Sequence, residues 1–160
     1  MRRLALLLMA VIGMVAAPAL AKDEEMSPNV NGDPKIAVVE RMIEAWNTRN
    51  WQLVGDLFAE DGVLHSMMIE PVVGRPAIAS RINGLGAGIS QITLDIQRIG
   101  RVGDAVIIER VDRFTYNGHY GEVPVVGVLT VEGDHIKVWR EYYDRAQLVA
   151  ALGLKEDFHK

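Results

Sequence analysis

The chain has 160 residues, with 17 Lys and Arg against 21 Asp and Glu, a formal net charge of −4 and no cysteine. This acidic balance argues against nucleic acid or an anionic membrane surface as a partner. The absence of cysteine excludes disulfides, thiol nucleophiles and thiolate metal sites, so stability must come from packing.

The first 21 residues have the pattern of a secretory signal peptide. Arg2 and Arg3 form a basic head, an apolar run follows over 4–17, and Ala-Leu-Ala at 19–21 offers a cleavage site. An uncleaved anchor is the alternative, but helix-breaking Pro18 precedes the cleavage site. We therefore expect a periplasmic or secreted protein that starts at Lys22, has a formal charge of −6 and is not attached to the membrane.

Two helices are predicted at the start of the folded domain. Residues 22–32 are polar and broken by Pro28, which predicts a flexible N-terminal arm. Asp33 can cap a helix that extends to Asn47, and Asn50 can cap a short second helix, which the sequence at 59–62 ends with turn-forming residues. We assign the domain to 33–153 and a C-terminal tail to 154–160.

The rest of the domain reads mainly as strands. A strand over 63–69 and a third helix over 75–83 precede four strands at 92–99, 105–116, 123–131 and 136–143, and a last helix is predicted over 145–152. The glycine-rich segment 84–88 follows a helix, which excludes a dinucleotide-binding loop. This order predicts an α+β fold in which helices pack on a curved, mostly antiparallel sheet that encloses an apolar pocket. The expected lining residues are Leu64, Ile108, Phe114, Val126 and Val128.

Three ionisable side chains fall where inward strand positions should be apolar. Arg110 and Asp112 are two residues apart, so they share a strand face with Ile108 and Phe114. Asp144 has the same parity as Arg140 and Tyr142. An arginine within hydrogen-bond reach of both aspartates would let one carboxylate stay ionised while the other keeps a proton. A structural ion pair or a solvated strand face is the alternative interpretation.

Several segments resemble the limonene epoxide hydrolase family, a member of the NTF2-like and SnoaL-like superfamily. They are Glu-Arg-Val-Asp at 109–112, Gly-Val-Leu at 127–129, and Trp-Arg-Glu-Tyr-Tyr-Asp at 139–144, and the resemblance covers most of 34–148. It implies a cone-shaped NTF2-like fold and the opening of epoxides to vicinal diols by water, without a metal or a cofactor. It also implies that Asp112 is the general acid, Asp144 the base and Arg110 the bridge between them.

The sequence differs from the family where the attacking water is held. The family uses a tyrosine and an asparagine two residues apart on the first strand, and Leu64 and Ser66 occupy the matching positions. Leucine cannot form a hydrogen bond with water. Weaker hydrolysis, a water held instead by Tyr142 or His65, or different chemistry on the same acid–base groups would each account for this difference.

Two further functions therefore stay open beside hydrolysis of a small hydrophobic epoxide. One is proton transfer on a hydrophobic carbocyclic substrate, as in the isomerases and cyclases of the superfamily, and the other is binding of a hydrophobic ligand without catalysis. The four histidines lack a spacing that predicts a metal site. A homodimer through the outer sheet face is also compatible with the sequence, because apolar and charged residues alternate there at Ile107, Glu109, Val111 and Arg113.

Overall fold

The structure is a computed structural model that describes residues 32–155. The predicted signal peptide, almost all of the N-terminal arm and most of the tail lie outside these residues. The elements are α1 (Pro34–Asn47), α2 (Trp51–Asp56), β1 (Phe58–Ser66), β2 (Val72–Val73), α3 (Arg75–Gly86), β3 (Ile89–Val102), β4 (Ala105–Tyr116), β5 (His119–Glu132), β6 (His135–Tyr142) and α4 (Arg145–Ala151). None of the helices in this described range is long and apolar enough to cross a membrane.

The first two helices begin at the predicted caps. Asp33 accepts a hydrogen bond from the backbone N–H of Lys35 at 2.9 Å, and Asn50 accepts one from Leu53 at 3.1 Å. The second helix is shorter than predicted, and the segment 59–62 belongs to β1 instead of a turn. Phe58 explains the difference, because it is fully buried and stacks on Trp139 of β6, with ring centroids 6.2 Å apart.

The six strands form one mixed sheet in the order β2-β1-β6-β5-β4-β3. All neighbours are antiparallel except β1 and β6, which are parallel. The turn between β4 and β5 shows why the hairpin prediction succeeds: Asn117 and Gly118 have φ values of 47° and 84°, the left-handed conformations that a two-residue hairpin turn requires. The predicted α+β NTF2-like fold is confirmed.

The helices cover one face of this sheet, and the core lies between them. Val39 and Met42 of α1 and Ile78 and Ile82 of α3 are buried together with the inward strand residues, among them Trp139. A second apolar cluster forms where α4 meets the far end of the sheet; it contains Phe114, Val123, Val125 and Leu152. The two clusters therefore surround the space that the sequence predicted as a pocket.

The inward face of β5 is not the one expected. Val126 and Val128 point outward, where Val126 is exposed and Val128 is half-buried, whereas Val123, Val125 and Leu129 are buried. The prediction was wrong because the apolar run at 123–129 does not alternate with polar residues, so its parity could not be read from the sequence. Pairing with β4 decides it, since Arg110 lies opposite Val125.

Candidate functional site

A cavity of about 500 Å³ lies between the helices and the concave face of the sheet. Its wall is mostly apolar, with a polar group of side chains at one position. Among the lining residues are Trp46, Phe58, Leu64, Ser66, Ile92, Arg110, Asp112, Phe114, Val125, Trp139, Glu141, Tyr143, Leu148 and Leu152. A wall of this composition suits a small hydrophobic molecule that a few polar groups orient.

Arg110 is the centre of the polar group. It is 3% exposed, and the structure gives it two carboxylate partners. Its Nε and Nη2 donate to the two carboxylate oxygens of Asp112 at 2.7 and 3.1 Å, and Nη2 also donates to Oε1 of Glu141. Both carboxylates remain partly accessible from the cavity, with side chains 18% exposed. The arrangement is a carboxylate–guanidinium–carboxylate bridge on an apolar wall.

A glycine in the strand between them lets the bridge form. Arg110 lies on β4 and Glu141 on β6, and β5 separates these two strands. Glu141 is opposite Gly127 on β5. A Cβ atom at Gly127 would lie 3.0 Å from Nη1 of Arg110 and 3.1 Å from Nε1 of Trp139, so a side chain there would press on the groups that cross the strand. Because Gly127 has no side chain, the guanidinium of Arg110 can cross β5 and reach Glu141.

Burial and charge set the electrostatics of the bridge. Burial lowers the pKa of Arg110, but the neighbouring charges of Asp112 and Glu141 outweigh it, and the pKa stays above its ordinary value. The guanidinium also lies over the indole of Trp139, 5.4 Å from the ring centroid, which adds a cation–π contact. Burial raises the pKa of Glu141, assisted by the charge of Asp112 and opposed by Arg110. Arg110 is thus a permanent cation, while Glu141 can change its protonation state closer to neutral pH than a free glutamate.

Asp144 does not occupy the place predicted for it. It is exposed, and its carboxylate caps α4 by accepting a hydrogen bond from the N–H of Gln147 at 2.9 Å. The reason for the misplacement is a β-bulge in β6: Thr130 pairs with Val138 and Val131 with Ile136, which leaves Lys137 as an extra residue. The bulge reverses the alternation, so Trp139 and Glu141 face the cavity instead of the even-numbered set.

Of the predicted water-binding positions, the two on β1 line the cavity and the one on β6 does not. Leu64 and Ser66 both line the cavity, as expected for inward positions of β1. Tyr142 points outward and is 44% exposed, whereas its neighbour Tyr143 lines the cavity. Ser66 and Arg145 are hydrogen-bond partners of the Tyr143 phenol.

Sequence reasoning therefore missed Glu141 and Tyr143. A usable signal was present in Trp139, because a large aromatic side chain in a strand favours the buried face. Counting by two from Trp139 reaches Glu141 and then Tyr143. No group of three or more potential metal ligands occurs among residues 32–155.

Comparisons with known proteins agree with this architecture. A profile of the SnoaL-like domain matches residues 39–139. An LEH-like epoxide hydrolase from Mycobacterium tuberculosis is 24% identical, with a TM-score of 0.67 over 74% of this chain and 89% of that one. A Catenulispora acidiphila protein with a ketosteroid isomerase-like fold, in complex with trimethylamine, is 28% identical, with a TM-score of 0.66 over 73% and 92%.

The structural likeness also extends to a different class of protein. A SnoaL-like polyketide cyclase, described as putative, from Shewanella putrefaciens has a TM-score of 0.68 at 11% identity, over 76% of this chain and 98% of that one. At this level of identity, the match shows a shared fold and not a shared function. The profile covers well over half of the chain, and the chain therefore belongs to the SnoaL-like domain family.

Proposed function

We propose that the protein hydrolyses a small hydrophobic epoxide to a vicinal diol, without a metal or an organic cofactor. The observation that carries the proposal is the buried Arg110, hydrogen-bonded to both Asp112 and Glu141 on the wall of an apolar cavity. The similarity to an LEH-like epoxide hydrolase supports it. Glu141 replaces Asp144 as the second carboxylate.

Two carboxylates meet the chemical needs of this reaction. An epoxide oxygen is a poor leaving group until it is protonated, and water is a poor nucleophile until a base takes its proton. Asp112 in its protonated form gives its proton to the epoxide oxygen as the C–O bond breaks. Glu141 in its ionised form takes a proton from the water as the new C–O bond forms. The diol leaves, Glu141 releases the proton that it took from water, and Asp112 takes one up, which restores the starting state.

The surroundings favour Glu141 as the base. It pairs with Ser66 across the parallel strands β1 and β6, so a hydroxyl that can hold water lies beside it. Burial raises the pKa of Glu141, and a base with a higher pKa accepts a proton from water more readily. Arg110 keeps its charge throughout and links the two carboxylates, so a proton gained by one changes the field at the other.

Product analysis in oxygen-18 water tests the proposal. With small cyclic epoxides as substrates, wild-type protein should form a diol that contains one labelled oxygen. Glu141→Gln and Asp112→Asn should each lower the rate by roughly 10²–10⁴-fold, since each removes one proton-transfer group. Asp144→Asn is the matched control: asparagine caps a helix as well as aspartate does, and the rate should stay at the wild-type value. If Asp144→Asn alone abolished diol formation, the assignment of Glu141 would be wrong.

One observation favours a second candidate. Leu64 lines the cavity where a water-binding side chain is expected, and it cannot form a hydrogen bond. Isomerase or cyclase chemistry needs no held water, and a polyketide cyclase described as putative shares the fold. In that reaction the same carboxylates would move a proton between two positions of a carbocyclic substrate, and no label would enter the product. If the protein bound a hydrophobic ligand but catalysed neither hydrolysis nor proton transfer, it would be a non-catalytic binding protein.

A further inference from the structure

We propose that the hydroxyl groups of Tyr143 and Ser66 hold the attacking water beside Glu141. This inference rests on the proposed hydrolase function. It assigns to Tyr143 a role in catalysis that comes from its position at the cavity wall.

The backbone geometry brings the three side chains to one place. Ser66 on β1 and Glu141 on β6 are register partners in adjacent parallel strands, and both line the cavity. Tyr143 follows Glu141 by two residues, beyond the bulge at Lys137 that turned this set inward, and it lines the cavity as well. The phenol of Tyr143 has Ser66 as a hydrogen-bond partner, and the negative charge of Glu141 contributes to raising the pKa of the phenol.

Counting donors and acceptors shows that the hydroxyl pair can hold a water. Arg145 can only donate, so it uses one lone pair of the phenol oxygen. The bond between Tyr143 and Ser66 uses one O–H hydrogen, whichever of the two donates it. The pair keeps at least two acceptor lone pairs. A water that gives one hydrogen to Glu141 and the other to this pair has a lone pair left to attack carbon.

The ionisation of the phenol supports the same role. Burial raises the pKa of Tyr143 above its ordinary value of 10.0, so the phenol remains neutral at physiological pH and keeps its O–H. Arg145 also restrains the phenol through a hydrogen bond. A fixed neutral hydroxyl lowers the freedom of the bound water, and restricting a nucleophile in this way is a large part of enzymatic rate enhancement.

Neighbouring residues supply the controls. Tyr142 is adjacent in sequence but faces outward, so Tyr142→Phe removes an equivalent hydroxyl from the face of the sheet opposite the cavity. Tyr120 on β5 is exposed as well, so Tyr120→Phe removes a second hydroxyl that does not line the cavity.

The experiment measures kcat, KM and the pH profile of diol formation in oxygen-18 water. Tyr143→Phe should lower kcat by about tenfold to hundredfold with little change in KM, because the phenyl ring keeps the cavity wall while the hydroxyl that holds the water is lost. Ser66→Ala should lower kcat in the same direction. The basic group seen in the pH profile should persist in Tyr143→Phe and disappear in Glu141→Gln. Tyr142→Phe and Tyr120→Phe should match wild type.

Three results would overturn the inference, and they are distinguishable. If wild type forms labelled diol and Tyr143→Phe has the kcat of Tyr142→Phe, the water is not held by Tyr143 and the hydrolase proposal still stands. If folded wild type forms no labelled diol from any epoxide tested, the proposed function fails and this inference fails with it. A rise in KM with unchanged kcat in Tyr143→Phe would also contradict a water-holding role, since that pattern belongs to substrate binding.

Discussion

Gly127 offers the sharpest test of how the site is built. Its missing side chain leaves the space through which Arg110 reaches from β4 to Glu141 on β6. A Cβ atom at this position would lie 2.9 Å from Cγ1 of Ile108, 3.0 Å from Nη1 of Arg110 and 3.1 Å from Nε1 of Trp139. Gly127→Ala should therefore disturb both the core and the bridge.

The magnitude follows from two opposing effects. Overpacking a rigid core costs about 1–3 kcal/mol, and the atoms around Gly127 cannot withdraw easily because Ile108 and Trp139 are buried and Arg110 is held by two carboxylates. Replacing glycine by alanine restricts the unfolded chain and contributes about 0.4–1 kcal/mol of stability. The expected net effect is a loss of roughly 0.5–2 kcal/mol in the free energy of unfolding.

A second strand glycine isolates the steric effect. Gly100 on β3 has no heavy atom within 4 Å of the corresponding Cβ position, so Gly100→Ala should be neutral or slightly stabilising. Urea denaturation followed by tryptophan fluorescence measures both variants, and the difference between them should be about 1–3 kcal/mol. Diol formation should fall in Gly127→Ala and stay unchanged in Gly100→Ala. Equal stability and equal activity of the two variants would refute the steric argument.

Two further predictions concern the two carboxylates whose positions the structure redefined. Asp144→Ala should lower the free energy of unfolding by about 1 kcal/mol and Asp144→Asn by only a few tenths, because asparagine also caps a helix; equal losses in urea denaturation would contradict the capping role. Because burial raises the pKa of Glu141 above its ordinary 4.5, the folded protein binds this proton more tightly than the unfolded chain does. That contribution to stability is complete below about pH 4.5 and is lost as the pH rises through the raised pKa. The free energy of unfolding of wild type should therefore fall relative to that of Glu141→Gln across this interval. If the two free energies changed with pH in parallel, the pKa of Glu141 would not be raised in the folded protein.

Local sequence determined much of the fold. The caps Asp33 and Asn50 place the first two helices, because a side-chain oxygen satisfies the free N–H groups of a first turn without help from the rest of the chain. Asn117 and Gly118 determine a hairpin turn, because asparagine and glycine adopt left-handed backbone conformations with little strain. The pair Arg110 and Asp112 could likewise be placed on one face of β4, because residues two apart on a strand share a face and β4 pairs with β5 without a bulge from Ala105 to Tyr116.

Tertiary structure decided which residues of β5 and β6 face the cavity. The apolar run of β5 has no polar alternation, so only its pairing with β4 could show that Val125 faces inward and Val126 outward. In β6 the extra residue Lys137 is a property of the pairing with β5, and a bulge leaves no reliable mark in a single sequence. Because side chains alternate with a period of two, this one residue moved Glu141 into the site and left Asp144 outside it.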